Sequence, residues 1–160
     1  MASATERTLL ILKPDAVQRR LVGRILSRIE EKGLQVIGLK MIRIAKPLAL
    51  RHYGIHRKKP FFKALIRYIV SGPVVVIAVQ GKNAITITRS MMGATFGSKA
   101  APGTIRGDFA VSDSFNLIHG SDSAKAAKGE LSLYFKPSEL HAGRPADFAW
   151  VYDLADGTPT

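Results

Sequence analysis

The sequence predicts an α+β fold, a ferredoxin-like sandwich in which helices cover a four-stranded antiparallel sheet. Three observations support this. Apolar runs suited to strands alternate with stretches of helical spacing in the order β-α-β-α-β-α-β. The helices are not placed uniformly between strands, which suits a split β-α-β unit; a small doubly wound sheet is the alternative on pattern. The length, 160 residues with 46% hydrophobic and 22% charged side chains, fits one packed domain and excludes disorder for the bulk of the chain.

The first run, Thr8-Leu9-Leu10-Ile11-Leu12, reads as a strand ending at Lys13-Pro14. Proline cannot donate to a ladder, so Lys13 projects from the strand end. Leu21, Ile25, Leu26 and Ile29 recur at helical spacing, with Gly33 as the stop. Val36 to Ile44 alternates as a second strand, Val36, Gly38, Lys40, Ile42 and Ile44 on one side and Ile37, Leu39, Met41 and Arg43 on the other. Pro47 opens a short helix through Tyr53, and Phe62, Leu65, Ile66 and Ile69 mark another. The β-branched run after Pro73 is a buried third strand. Asn83 is expected to cap a helix to about Met92. Gly93 to Ser114 has little periodicity and is long for a connector, which points to a functional loop. Asn116 to His119 is a short strand, and Ser121, Asp122 and Ser123 offer caps for a helix through about Phe135. The expected organisation is a single domain over residues 1–160, with a core at about 6–136 and an extended C-terminal segment over 137–160.

There is no cysteine, hence no disulfide, thiolate metal site or cysteine nucleophile. The longest apolar run falls short of the roughly 20 residues of a membrane helix, and the N-terminus lacks the apolar stretch of a secretory signal. A cytoplasmic protein with no membrane association is therefore expected. The formal net charge is +12, and all the excess lies between Met1 and Tyr68, with 16 basic and 4 acidic residues. Such a field concentrates polyanions, whether nucleotides, nucleic acid or acidic membrane, or it is simply a solvated basic surface.

Phosphate chemistry is thus worth seeking, but neither standard glycine-rich cradle is present. Gly81-Lys82 is followed by Asn83 and lacks the earlier glycine, and no G-x-G-x-x-G turn occurs. His52 and His56 are four apart, a spacing that could hold zinc, yet Gly54 weakens that helix and no glutamate lies between them. Asn116-Leu117-Ile118-His119-Gly120-Ser121-Asp122-Ser123 is more informative. Here a histidine at a strand end precedes a glycine and a helix N-terminus. Neutral imidazole can take and return a phosphoryl group; the segment is otherwise a capping turn with an incidental histidine. In Pro102-Gly103-Thr104-Ile105-Arg106-Gly107-Asp108-Phe109 two glycines bracket an arginine whose planar fork suits phosphate, unless it is an ordinary surface turn. Lys13-Pro14-Asp15 adds a lysine at a strand end.

Taken in order, these segments resemble the nucleoside diphosphate kinase family. The matching text is Lys13-Pro14-Asp15-Ala16-Val17-Gln18-Arg19, His52-Tyr53 with Pro60-Phe61-Phe62, Ser71-Gly72-Pro73-Val74, Thr88-Arg89 with Gly93-Ala94-Thr95, PGTIRGDF from Pro102 and NLIHGSDS from Asn116. The resemblance covers about Glu6 to Trp150. It implies a ferredoxin-like fold and a ping-pong exchange. The γ-phosphoryl of a nucleoside triphosphate passes to His119 and then to a nucleoside diphosphate, with broad tolerance of the base. By the same resemblance Lys13 and Asn116 hold the ribose 3′-hydroxyl, Phe61 stacks on the base and Leu65 lines its slot. Arg89, Thr95 and Arg106 clamp phosphates, Tyr53 and His56 lie beside them, and Ser121 and Glu130 orient the histidine. Mg²⁺ is implied as the nucleotide complex, and a homo-oligomer, hexamer over tetramer, as the assembly. The chain departs from the family pattern at Phe96-Gly97-Ser98-Lys99, at Asp113-Ser114-Phe115 and at Ile55. Two other functions fit the sequence less well: a nucleic-acid module using the basic half, for which no RNA-binding aromatic signature is present, and a protein whose main role is structural assembly.

Overall fold

The computed structural model describes residues 5–154. Four strands, β1 (Glu6–Leu12), β2 (Gln35–Arg43), β3 (Pro73–Gly81) and β4 (Ile118–Gly120), form one sheet in the order β2-β3-β1-β4. Every neighbouring pair is antiparallel, so the ferredoxin-like arrangement holds and the doubly wound alternative does not. β1 and β3 are central and buried on both faces, which is why they read as unbroken apolar runs.

Side chains of successive strand residues enter two separate cores, as the pleat requires. Leu10, Leu12, Val75, Ile77 and Val79 pack on one face with Ile25 and Ile29 of α2 (Val22–Glu31). Ala84 and Met92 of α5 (Ala84–Met92) and Ile118 of β4 join them there. Leu9, Ile11, Val74, Val76 and Ala78 face the other way. They meet Ala49 of α3 (Lys46–His52), Ile66 and Ile69 of α4 (Phe62–Ile69), and Leu131 and Tyr134 of α7 (Ala124–Tyr134). At about 25 cal/mol per Å² of apolar surface, each such Leu or Ile stabilises the fold by some 2 kcal/mol.

Several local expectations change. The strand does end at Lys13, but the chain turns at once into α1 (Pro14–Gln18), where proline suits the first helical turn. The alternation of β2 is interrupted by an irregularity between Val36 and Gly38, after which Leu39 and Met41 face solvent at 48% and 59% exposure. Asn83 precedes α5 but makes no side-chain cap; it sits in the left-handed region, and the Glu6 carboxylate accepts from the Ile85 N–H instead. Within Gly93–Ser114 lie a 3-10 turn at Gly97–Lys99 and α6 (Ile105–Phe109), capped by the Thr104 hydroxyl accepting from the Gly107 N–H. Ser123, of the three offered caps, is the one that caps α7. After Lys136 the chain forms a 3-10 turn at Pro137–Glu139 and α8 (Phe148–Val151) rather than a fully extended run.

Candidate active site

His119 occupies the middle of β4 opposite Ile11, on the sheet face that α7 covers. Its register comes from two directions. Ser121 N–H donates to Leu9 O after it, and Lys13 N–H donates to Leu117 O before it. Leu117 itself has φ of 70°, a left-handed conformation that a leucine adopts at a cost, and its N–H is held by the Asp15 carboxylate. Asp15 is fixed in turn by the Tyr68 hydroxyl.

Glu130 reaches this position because α7 folds back along β1. The Ser121 hydroxyl donates to Glu130 Oε2 at 2.6 Å, and His119 Nε2 lies 3.0 Å from the same oxygen. Eleven residues separate His119 and Glu130 in sequence, and only the reversal of the chain brings them together. Burial lowers the pKa of His119 to about 4, and the bond to Glu130 offsets this only in part. Burial would raise Glu130, but hydrogen bonds from His119, His52 and Ser121 outweigh it and hold the carboxyl well below its ordinary value. At neutral pH the pair is therefore a neutral imidazole donating to an ionised carboxylate. The proton sits on Nε2, and Nδ1 keeps its lone pair.

Around this imidazole stand cations without carboxylate partners among the described residues. Lys13 Nζ donates to Asn116 Oδ1 at 2.6 Å, and Asn116 Nδ2 donates to Thr95 O at 2.8 Å. Arg106 is buried and spends its N–H groups on backbone carbonyls, with Nε on Asn116 O, Nη2 on Ile118 O and Nη1 on Gly93 O. Exposed Arg89 donates to Gly120 O. Burial, then the neighbouring Arg106, lowers Lys13 to about 8, while Asp15 pulls the other way. Burial and Arg89 lower Arg106 to about 10. Buried positive charge with no counter-ion is costly, and an incoming anion would relieve it.

The helical hairpin of α3 and α4 closes the other side. Tyr53, at the end of α3, stacks on His52 at 4.3 Å and meets His119 edge-on at 5.8 Å. Its hydroxyl is buried without a hydrogen-bond partner among the described residues, and burial raises its pKa. Half-exposed Phe61 and His56 pair at 5.7 Å on the same hairpin, and Leu65 packs into the core beneath it. Lys13, Asn116, Thr95, Arg106, His119, Ser121, Glu130 and Tyr53 thus form a connected group. Phe61, His56 and Leu65 form a second patch on the hairpin.

Two further residues join this group and do not stand out as site residues in the sequence, His52 and Tyr134. There His52 suggests only a zinc partner for His56, and Tyr134 only part of a helix. His52 instead lies with its Nε2 3.2 Å from His119 Nε2 and 3.3 Å from Glu130 Oε1, and its Nδ1 is 2.7 Å from the Tyr134 hydroxyl. The signal available is its place beside Tyr53 in the matching text. His52, His119 and Glu130 are spaced as three metal ligands would be. However, both imidazoles already lie within hydrogen-bond distance of the carboxylate, so the donor set is engaged within the protein. The side chains around the ring are cationic, which does not suit a divalent ion held in a carboxylate cage.

A ferredoxin-like sandwich that surrounds a neutral histidine with unpaired cations suits phosphoryl transfer. Comparison with known proteins makes the assignment specific. Residues 6–140 match the family described as nucleoside diphosphate kinase. The nucleoside diphosphate kinase of a Roseiflexus species (strain RS-1) is 57% identical over 148 residues, covering 92% of this chain and 99% of that protein. The enzyme of Pyrococcus horikoshii is 56% identical over 154 residues, covering 94% and 97%. Among solved structures, a halophilic nucleoside diphosphate kinase from Halobacterium salinarum in complex with CDP superposes with a TM-score of 0.92. It is 45% identical, with 94% of this chain and all of that one covered. The chain belongs to the nucleoside diphosphate kinase family. Its reaction moves the γ-phosphoryl group of a nucleoside triphosphate to a nucleoside diphosphate by ping-pong exchange through a phosphohistidine.

Proposed function

We propose that His119 Nδ1 is the atom that carries the phosphoryl group. Nδ1 attacks the γ-phosphorus, the bond to the β,γ-bridging oxygen breaks, and the nucleoside diphosphate leaves with the electron pair. The Nε2 proton stays in place, facing Glu130, which offsets the positive charge that develops on the ring. A second diphosphate then attacks the phosphorus, and Nδ1 leaves as a neutral imidazole. Ser121 and Glu130 orient the ring. Lys13, Arg106, Arg89 and Thr95 hold phosphates, with Tyr53 and His56 beside them. Asn116 and Lys13 meet the ribose hydroxyl. Phe61 offers its exposed face to any base, and Leu65 lines that slot. Mg²⁺ comes with the nucleotide and neutralises phosphate charge. The observation that carries this assignment is the Nε2–H contact to ionised Glu130, because it leaves Nδ1 as the free nucleophile.

The test supplies folded protein with magnesium and γ-labelled ATP. An acid-labile, base-stable adduct is expected, and it should disappear in His119→Ala. Full labelling of His119→Ala, or none of the wild type, would overturn the assignment.

Beyond the site, we place residues 1–160 in one domain acting in the cytoplasm. A homo-oligomer, hexamer over tetramer, is supported by Leu39 and Met41 lying exposed on the edge strand β2. Sedimentation velocity reads the state directly. A secondary nucleic-acid contact through the basic half is supported by the charge distribution, and a steep log–log salt dependence of DNA binding would reveal it.

A further inference from the structure

The phosphoryl-transfer steps use Ser121 and Glu130 but leave two buried polar residues without a task. His52 has 1% of its side chain exposed, and Tyr134 is buried at the end of α7. One arrangement of their hydrogens satisfies the phenol and both carboxylate oxygens, with the two Nε2–H groups, 3.2 Å apart, each turned to its own oxygen of Glu130. If the Tyr134 hydroxyl donates to His52 Nδ1, then His52 carries its proton on Nε2 and donates to Glu130 Oε1. Glu130 then receives His52 on one oxygen, and His119 and Ser121 on the other. In the opposite tautomer the Tyr134 proton has no acceptor among its contacts. His52 would also turn a lone pair towards a carboxylate oxygen 3.3 Å away. Buried donors left unmade and lone pairs facing each other are both costly.

We propose that Tyr134 and His52 are positioning residues, a relay that holds the Glu130 carboxylate across both imidazoles and thereby keeps the proton of His119 on Nε2. Tyr134 sets the tautomer of His52. His52 restrains Oε1, so that Oε2 stays available to His119 and Ser121. Without the relay, Glu130 can rotate away and His119 can place its proton on Nδ1, the atom that must attack phosphorus. Neither relay residue is among those assigned above to the nucleotide. The catalytic consequence rests on His119 taking the phosphoryl group, whereas the proton positions belong to the resting protein and are read without nucleotide.

The experiment uses the full-length chain labelled with ¹⁵N. Long-range ¹H–¹⁵N spectra of the nucleotide-free wild type are expected to show His52 and His119 both protonated on Nε2. Single-turnover phosphorylation by magnesium-ATP is then compared in Tyr134→Phe, His52→Leu and His52→Gln. Loss of one charge-assisted restraint corresponds to roughly a tenfold slower chemical step. Tyr134→Phe and His52→Leu should show that loss with nucleotide affinity unchanged, and part of their His119 signal should shift to the Nδ1–H form. His52→Gln still offers an N–H towards Glu130 and should recover most of the rate. A purely structural role would lower stability in all three without moving the His119 tautomer.

His52 protonated on Nδ1 in the wild type overturns the relay. So does a wild-type rate in Tyr134→Phe. That variant removes one hydroxyl and changes no packing, so it decides the matter even if His52→Leu misfolds. If the wild type took no phosphoryl group, the function of the site would fall. The spectra would still decide the relay.

Discussion

Nucleotide binding should pull a proton onto Lys13, and the size of that uptake follows from where the lysine sits. Its pKa is lowered to about 8 by burial and by Arg106, so near pH 8 about half of the free molecules carry a neutral amine. A bound diphosphate brings negative charge to the same pocket. One unit charge at about 5 Å and an effective dielectric of about 20 contributes roughly 3 kcal/mol, enough to raise the pKa by about two units. The complex therefore holds Lys13 fully protonated. Uptake should be about 0.5 proton per site near pH 8 and about 0.1 near pH 7. Calorimetric titration with ADP and magnesium, repeated in buffers of different ionisation enthalpy, measures it as a slope. Lys13→Arg, which does not titrate in this range, should flatten the slope. A slope near zero in the wild type, or an undiminished one in Lys13→Arg, refutes the reasoning. The same shift has a stability consequence of definite sign. Between about 8 and the ordinary lysine value of 10.5 the unfolded chain binds more protons, so the contribution of Lys13 to folding improves as pH rises through that window.

Three further outcomes are expected. Because His119 has a folded pKa of about 4 against 6.5 unfolded, stability is lost as pH falls from about 6.5 towards 4, and Glu130 adds to the loss below 4.5. With the ring about one-fifth exposed, the histidine part is discounted to roughly 1–2 kcal/mol; urea unfolding of His119→Gln at pH 6.5, 5.5 and 4.5 should show a flatter dependence than the wild type. Glu130→Gln loses a charge-assisted acceptor worth about 1.5–3 kcal/mol, so single-turnover phosphorylation should slow by roughly 10–100-fold with ADP affinity preserved. In Gly107→Ala the new methyl carbon would lie 1.9 Å from Ala101 O, so α6 and the Arg106 it carries must shift; a loss of about 2 kcal/mol or more in urea unfolding and a collapse of exchange activity are expected together.

How far the sequence shows the fold depends on whether the signal is local. β1 and β3 are visible because a strand buried on both faces must be apolar at every position. The α2 stripe is visible because only one face of that helix is buried. α6 escapes notice since a five-residue helix containing Gly107 has too little propensity to stand out, and it exists because the Thr104 cap and the Arg106 bonds to three segments hold it. Glu6 capping α5 could not be foreseen, as it depends on the pairing of β1 with β3. In the site, Lys13, Arg106 and His119 each lie within a short segment whose chemistry is local. Glu130 comes only through family likeness, and the His52–Tyr134 contact depends on α7 folding back over the hairpin. Contacts made by chain reversal leave no periodic trace.

β4 is three residues long, and His119 is its middle residue, flanked by Ile118, which packs in the opposite core, and Gly120, where an added Cβ would meet Met92 and Leu10 of that core. A strand has two sides, so the parity of the count from Leu117 to Ser121 decides which side the imidazole occupies. Insertions in the preceding loop can be absorbed where the chain is irregular. A single residue added between Asn116 and Ser121 would instead turn the ring towards Met92, whose sulfur lies 2.7 Å from where a Cβ on Gly120 would stand. Other connectors of this chain can change length and leave the imidazole where it is, whereas at this one step odd and even insertions send it to opposite faces of the sheet.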